Sequence, residues 1–403
     1  MLEVTDALAE VLARVRPRKP EESPLASAVL GRVLAADVLA ETDSPPFPKS
    51  LRDGYAVLAA DCTSPNAELR VVAEIAAGAM PMRPINSGEC TRIFTGAPIP
   101  EGANAVVMQE DTVPLAGELV RITDAAVKPG QHIFACGTEM RSGDVVLTPG
   151  TVLNAATLGL LAGLGKTTAK LFPAPRVAIL STGDELVEAG QPLKPGHIRN
   201  SNGPMLVAQT AAAGAVPSYL GNARDDAAKV RAMIGEGLTS ADVLVIAGGV
   251  SVGKFDLVPT VLEEIGVAIH VRQVRMKPGK PFLFGTKDNV LVFGLPGNPV
   301  SAYVGFALFV HPALRILAGH TDPGPRITTL PVAEGIAVSN DRPTYHPARL
   351  ELGNTGWMVH PLSWMGAPDL RGFQSADALL VLPPGDTRLD RGQPASVVIL
   401  NCN

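Results

Sequence analysis

The sequence is poor in the residues that build most crosslinked and metal-bound folds. Four cysteines (Cys62, Cys90, Cys136 and Cys402) are scattered over 403 residues, with no C-x-x-C pair and no histidine at zinc-ligand spacing beside them. That excludes a disulfide framework and a structural zinc site, and it fits a reducing compartment. The seven histidines are dispersed, with no pair at metal spacing. His311, in an apolar stretch, reads as a packed core residue. Aromatic residues make up only 4%, too few for an array of base-stacking platforms. The net charge is −5 with no long run of either sign, so nucleic acid is not an expected partner. The N-terminus, Met-Leu-Glu-Val-Thr-Asp, is acidic where a signal peptide would be basic. Two uncharged stretches, Val145 to Gly165 and Asn289 to Leu314, are interrupted by Pro149 and Asn154 and by Pro296-Gly-Asn-Pro299. Both read as buried elements of a soluble, cytoplasmic protein rather than as membrane spans.

What the chain does have is apolar content of 46%, enough for several cores, and 40 glycines and 36 prolines without a fixed period, hence many turns. At roughly 100–200 residues per domain the length predicts two to four domains. Val4, Leu8, Val11, Leu12 and Val15 share one helical face, Pro17 and Pro20 end that helix, and a second helical stretch is expected over about 25–34. These form N-terminal helical segments over 1–49. Short runs rich in β-branched residues between turn signals (Leu69-Arg-Val-Val-Ala, Ala105-Val-Val-Met, Leu119-Val-Arg-Ile) predict an inserted β domain over 50–147. A helical return segment follows over 148–172. Val177-Ala-Ile-Leu, Val243-Leu-Val-Ile and Val290-Leu-Val-Phe are continuous apolar runs with helical candidates between them. They predict a doubly wound, mostly parallel α/β domain over 173–322. The remaining 323–403 read as a C-terminal β domain.

Each of the three apolar runs ends in an unusual loop: Ser181-Thr-Gly-Asp-Glu-Leu186, Gly248-Gly-Val-Ser-Val-Gly253 and Gly294-Leu-Pro-Gly-Asn-Pro299. Ligands of open α/β sheets sit beyond the carboxyl ends of the strands, and glycine loops turn backbone N–H groups toward an anion. Any one of these loops alone reads as a tight turn. Three on one sheet edge read as a site. The carboxylates Asp184, Glu185 and Asp256 would repel a bare phosphate, a conflict that Mg²⁺ resolves. Lys277 and Lys280 flank a Pro-Gly turn where both ammonium groups can meet an anion, or remain solvated at a hairpin tip. Asp225-Asp226 precede a predicted helix and serve as its cap or reach a metal. Gly163-Leu-Gly-Lys-Thr167 imitates a phosphate loop but lacks its first glycine, and reads as a helix C-terminus. In the β domain, Ser50-Leu-Arg-Asp53-Gly-Tyr-Ala-Val and Arg92-Ile-Phe-Thr95-Gly-Ala-Pro place polar side chains beside glycine. Residue chemistry alone leads to a Mg²⁺-dependent enzyme or binder of a phosphorylated ligand.

Six motifs in order, Asp53-Gly-Tyr-Ala, Thr95-Gly-Ala-Pro, Ser181-Thr-Gly-Asp-Glu-Leu, Gly248-Gly-Val-Ser-Val-Gly, Lys277-Pro-Gly-Lys-Pro and Gly294-Leu-Pro-Gly-Asn-Pro, span nearly the whole chain. In these the sequence resembles the molybdopterin molybdenumtransferases (MoeA type, including the gephyrin E domain). The resemblance implies an elongated helical domain, an inserted β domain, a molybdopterin-binding α/β domain and a C-terminal β domain. It also implies a homodimer with a shared active site, in which adenylylated molybdopterin and molybdate react with Mg²⁺ and AMP is released. A molybdopterin adenylyltransferase would be the upstream partner. Carried over by resemblance, Glu185, Asp225 and Asp256 handle metal and phosphate, and Lys277 and Lys280 stabilise anionic charge. Asp53, Thr95 and Glu139 face them from the partner subunit. Ser181, Thr182, Gly183, Gly248, Gly249, Ser251, Gly253, Pro296, Gly297, Asn298 and Arg349 hold the pterin.

The sequence departs from that pattern in four places. Phe134-Ala-Cys136 stands where arginines are common, Glu139 where Asp is usual, Gln273 where a lysine is expected and Ala367 where a serine is expected. Arg272 or Arg275 are the neighbouring cations that compensate. A divergent paralogue that binds or hands over the cofactor, or a tungstate-preferring insertase, are the alternatives that these departures raise. A molybdopterin adenylyltransferase or nucleotide pyrophosphatase on the same α/β domain is a further one, which the β domains argue against.

Overall fold

The computed structural model describes residues 1–124, 126–224, 226–250, 257–354 and 356–400. It divides into two compact units, one of Met1–Ala35, Gly150–Ala156 and Thr168–Asn403, the other of Ala36–Pro149 and Thr157–Thr167.

In the first unit, helix α1 (Val4–Leu12) buries Ala7 and Val11 in the same core as Val271, Leu314 and Leu317. The expected second helix over 25–34 is not formed. A single 3₁₀ turn at Ser27–Val29 stands there instead, preceded by a strand at Glu21–Pro24. The reason is long-range pairing: Glu21–Pro24 runs antiparallel to Thr168–Leu171, and the N–H groups of Gly31 and Leu34 donate to the carbonyls of Leu153 and Thr151. Backbone groups that a helix would satisfy internally are satisfied by the returning chain. The chain continues into helix α2 (Ala155–Gly163), which from Thr157 on is counted with the second unit, followed by Gly165 at φ 75°. The phosphate-loop imitation over 163–167 is thus a helix C-terminus and turn.

The central sheet has six strands: β1 (Arg176–Thr182), β2 (Val216–Ala223), β3 (Val243–Ala247), β4 (Ala268–Gln273), β5 (Pro281–Lys287) and β6 (Val290–Leu295). Their order is β2-β1-β3-β6-β5-β4. The first four are parallel, whereas β5 runs antiparallel to both β6 and β4. Helices α3 (Asn202–Ala212), α4 (Ala227–Ser240), α5 (Leu257–Glu264), α6 (Pro299–Gly305) and α7 (His311–Leu317) complete the layers. Two apolar cores result, one containing Val177, Val245 and Phe293, the other Ala178, Leu244 and Val292. Alternating residues of one strand therefore fill opposite faces, which is why these strands read as unbroken apolar runs. The helical run Pro299–Leu317 is long and apolar enough to cross a membrane, but 72% of its apolar stretch is buried within the protein, as in a core helix. Pro312 lacks the N–H that would bond the Leu308 carbonyl, and the preceding turn widens into a π-turn at Phe306–Val310.

The C-terminal part is a five-stranded antiparallel sheet (Ile327–Pro331, Pro394–Ile399, Ala378–Leu382, Thr344–Gly353, Gly356–Pro361, in spatial order) with a separate pair at Ile336–Asn340 and Gly385–Leu389. Val332, Ala348, Val359, Leu380 and Val397 form its core.

The second unit centres on a six-stranded sheet whose strand Gly54–Val57 lies between Ala105–Met108 and Glu89–Ile93. A Cβ on Gly54 would come 1.9 Å from the Val107 carbonyl oxygen, so only glycine fits beside Asp53. Tyr55, Val57, Leu69, Cys90 and Val107 fill one face, and Ala56, Ile75, Ile93 and Val106 the other.

Candidate functional site

Three of the parallel strands, β1, β3 and β6, end side by side, and a cavity of about 550 Å³ opens beyond their carboxyl ends. Its walls come from all three loops: Thr182, Gly183 and Glu185 from the first, Gly248 and Gly249 from the second, Pro296, Gly297 and Asn298 from the third. Gly248 and Gly249 adopt φ of 95° and 63°. A Cβ on Gly248 would lie 2.6 Å from the Thr182 carbonyl oxygen, and one on Gly249 2.8 Å from Thr182 Oγ1. Glycine is required here for close approach of two loops as well as for the backbone turn. The Glu185 carboxylate folds back over Gly183, within 2.4 Å of where a Cβ would stand.

Hydrogen bonds tie the loops into one frame. The Gly248 N–H donates to the Leu295 carbonyl at 3.0 Å. The Asn222 side-chain amide donates to the Gly183 carbonyl at 3.0 Å. Asn202, at the start of α3, donates through Nδ2 to the Gly297 carbonyl at 2.7 Å. Thr182 Oγ1 and Asn202 Oδ1 are buried and have no hydrogen-bond partner among the described residues. Both residues line the cavity, so two oxygen atoms stand ready for a ligand.

Ser181 is fully buried and lies behind this wall, its Oγ donating to Asn200 Oδ1 at 3.3 Å. Asn200 also donates to Glu188 Oε1 at 2.9 Å, and the Tyr219 hydroxyl donates to the same oxygen at 2.7 Å. Burial, then the hydrogen bond to the Glu188 carboxylate, pushes the Tyr219 phenol up to about 12, so it stays a donor. This network braces the first loop from below. Motif reading passed over Asn200 and Asn202. The signal was available as two amide residues ahead of a helix.

Lys277 and Lys280 both precede β5, and Pro281, its first residue, lines the cavity. Lys277 is engaged with the C-terminal part: its N–H donates to the Pro343 carbonyl at 2.8 Å, its carbonyl accepts from the Tyr345 N–H at 2.7 Å, and its ammonium donates to Asn340 Oδ1. Ala367 meets the cavity's third loop through its backbone, where its carbonyl accepts from the Val300 N–H at 3.1 Å. That bond satisfies a first-turn donor of α6, whose Asn298 makes no side-chain cap bond. Gln273 ends β4, its carbonyl accepting from the Leu2 N–H at 3.1 Å. Arg272 pairs with Glu263, and Arg275 with Glu3 at 3.2 Å. Arg349 lies on the strand Thr344–Gly353 and pairs with Glu351 at 3.1 Å.

Asp226 caps α4, its Oδ1 accepting from Ala228 and Lys229 N–H groups at 2.9 and 3.2 Å. Asp225, Ser251, Gly253 and Asp256 lie outside the described residues. Among the described residues no group of three or more His, Cys, Asp or Glu side chains is arranged to hold a metal ion.

In the second unit Asp53 Oδ1 accepts from both the backbone N–H and the hydroxyl of Thr95, each at 2.8 Å. The backbone bond first, then the hydroxyl, holds the Asp53 carboxyl below its ordinary range. The Ser44 hydroxyl donates to Glu139 Oε2 at 2.6 Å, and neighbouring Asp43 accepts from the Ser142 N–H at 2.8 Å and from Cys136 Sγ at 3.5 Å.

Comparison with known proteins matches the chain end to end. Residues 2–165 match the MoeA N-terminal region (domain I and II), 178–316 a probable molybdopterin binding domain, and 329–400 the MoeA C-terminal region (domain IV). A molybdopterin molybdenumtransferase of a Nostoc species is 36% identical over 379 residues, 92% of this chain and 86% of that protein. One from Bacillus subtilis is 33% identical over 377 residues, 92% of this chain and 88% of that protein. The crystal structure of a molybdopterin biosynthesis MoeA protein from Pyrococcus horikosii superposes with a TM-score of 0.85 at 31% identity, covering all of both chains.

Proposed function

The chain belongs to the molybdopterin molybdenumtransferase family, and on that premise we propose that it is a transferase of molybdenum cofactor biosynthesis that places molybdate-derived molybdenum on adenylylated molybdopterin and releases AMP. The observation that carries this reading is the cavity beyond β1, β3 and β6, with its glycine loops and two unpartnered oxygen atoms. In the proposed reaction the N–H of Gly249 orients the ligand's anionic part, the Gly248 N–H being taken by the Leu295 carbonyl, and Thr182 and Asn202 meet its polar groups. Asn298, at the start of α6, adds the positive end of a helix dipole. Glu185 with Thr182 Oγ1 is an all-oxygen donor set suited to Mg²⁺ rather than to zinc, and Asp225 and Asp256 are the further carboxylates proposed to join it. When bound, Mg²⁺ would neutralise phosphate charge and polarise the phosphoryl oxygen of the adenylate.

Lys277 and Lys280 are proposed to stabilise the anion. Gly183, Ser251, Gly253, Pro296, Gly297 and Arg349 are proposed to hold the pterin, with Ser181, buried behind the wall, bracing the loop that meets it. A homodimer is proposed in which Asp53, Thr95 and Glu139 of one subunit serve the cavity of the other. Ala367 and Gln273, the departures on the anion side, are the positions proposed to bear on the choice between molybdate and tungstate.

The test is AMP release from adenylylated molybdopterin against Mg²⁺ concentration, with molybdate and with tungstate. The expected result is Mg²⁺-dependent AMP release coupled to molybdenum insertion, with Asp256→Asn requiring more Mg²⁺. Tight pterin binding without AMP release under any condition would overturn the enzymatic reading in favour of a cofactor-binding paralogue.

A further inference from the structure

At the amino-terminal ends of the same strands lies a second cleft, of about 360 Å³. Asp242 stands just before β3 and Val290 begins β6, whereas the cavity described above lies past Ala247 and Leu295. The five residues of β3 thus separate the two by roughly 15 Å at about 3.3 Å per residue. Four cations within six residues, Arg14, Arg16, Arg18 and Lys19, line the second cleft. Their carboxylate partners do not balance them. Arg14 pairs with Glu10 at 2.5 Å, and Arg18 meets Asp242 at 3.4 Å, while Asp242 is already held by Arg176 at 3.3 Å. Arg16 and Lys19 have no ion pair among the described residues.

The segment is held in place. Pro17 and Pro20 restrict the backbone, the Arg18 N–H donates to the Leu317 carbonyl at 3.0 Å, and the Arg18 guanidinium donates to the Ala174 carbonyl at 2.6 Å. Arg16 donates to the Ala13 and Val15 carbonyls at 2.9 and 2.7 Å, which uses one nitrogen of its fork. A solvated tail needs none of these anchors. The backbone that carries these cations is ordered before any anion binds, which lowers the ordering cost of binding.

We propose that this cleft binds a small phosphorylated ligand of about nucleoside monophosphate size, its phosphate on Arg16 and Lys19 and its hydroxyl or ring N–H groups on Asp288 and Asn289. The volume matches that class of ligand, and Asp288 and Asn289 line the same cleft from the turn between β5 and β6. Guanidinium and ammonium groups together favour phosphate over carboxylate through forked and point-charge contacts.

The experiment is hydrogen–deuterium exchange of the full chain with AMP and with inorganic pyrophosphate as probes. Peptide resolution separates this cleft from the cavity at the other end of the sheet, which AMP occupies if the proposed reaction is right. Protection of residues 14–19 and 286–291 by either probe is expected. Arg16→Ala with Lys19→Ala should weaken that protection by about tenfold in ligand concentration, without altering protection near 182–185. No protection of 14–19 at millimolar probe overturns the proposal, as does unchanged protection in the double variant. Protection by polyglutamate but by neither probe also overturns it, in favour of an acidic protein partner.

Discussion

The side-chain amide of Asn202 and the backbone carbonyl of Gly297, 95 residues apart, are joined by a 2.7 Å hydrogen bond, and both residues line the cavity beyond β1, β3 and β6. One end belongs to the helix after the first loop, the other to the third loop. The two walls are therefore positioned by each other.

Asn202→Ala removes this tie. A net loss of about 1–2 kcal/mol is expected from one buried hydrogen bond, read as a lower midpoint in urea. A larger effect on molybdenum insertion, about tenfold or more, should follow from displaced walls. Equal insertion rates with lowered stability would mean the bond is structural only.

Gly248→Ala tests the close approach of the second loop to Thr182. Its Cβ would meet the Thr182 carbonyl oxygen at 2.6 Å with φ at 95°, whereas Gly190, at φ 84°, has open space. Both substitutions carry the left-handed backbone cost of about 1–2 kcal/mol. Only Gly248→Ala adds a clash, so it should lower the melting temperature clearly more than Gly190→Ala and also weaken pterin binding. Equal melting temperatures would show that the loop yields freely.

His311 and His320 titrate well below the ordinary imidazole. Burial, and next the Arg315 charge, pushes each down to about 4 from 6.5. Between those values the unfolded chain binds protons that the folded one refuses, so folding stability rises with pH across that window. The contribution is fully present above about pH 6.5 and is lost as pH falls through about 4. His311→Gln with His320→Gln should flatten the stability–pH curve between pH 4 and 6.5, measured by urea unfolding at several pH values. An unchanged slope would mean that both rings are accessible to protons.

Lys277 gives its ammonium to Asn340, a residue of the C-terminal part. With Lys277 in the proposed electrostatic role, Lys277→Ala should lower insertion by on the order of 10²–10³. Asn340→Ala keeps the charge and loses its holder, and should lower kcat by about tenfold with KM little changed. Loss of stability in both variants with full activity would assign Lys277 to domain anchoring alone.

The shared-site proposal requires two copies of the chain. Sedimentation at micromolar concentration should give about twice the 41.9 kDa chain mass, with a two-fold interface as the default for a homo-oligomer. A strict monomer with full activity would remove Asp53, Thr95 and Glu139 from the site.

The sequence by itself determined the strands that are buried on both faces and the loops that follow them. Val177-Ala-Ile-Leu, Val243-Leu-Val-Ile and Val290-Leu-Val-Phe carry enough apolar surface that no other placement satisfies them, and they lie in β1, β3 and β6. Gly248 was legible for the same local reason, since a left-handed turn selects glycine whatever surrounds it. Residues 25–34 were misleading because their helical apolar spacing is outweighed by hydrogen bonds to Thr151, Leu153 and the strand Thr168–Leu171, which lie more than a hundred residues away. Strands β2, β4 and β5 were missed; the two edge strands mix polar and apolar positions, as in Val216-Pro-Ser-Tyr and Ala268-Ile-His-Val-Arg-Gln, and the antiparallel pairing of β5 is set by its partners. Only tertiary structure decided that Ser181 lies behind the cavity wall and Thr182 in it, that Asn202 reaches Gly297, and that the Lys277 ammonium is taken by Asn340. Local propensity acts over a few residues. Each of these relationships is a contact between segments brought together by core packing, and no short-range pattern encodes which neighbour a side chain will find.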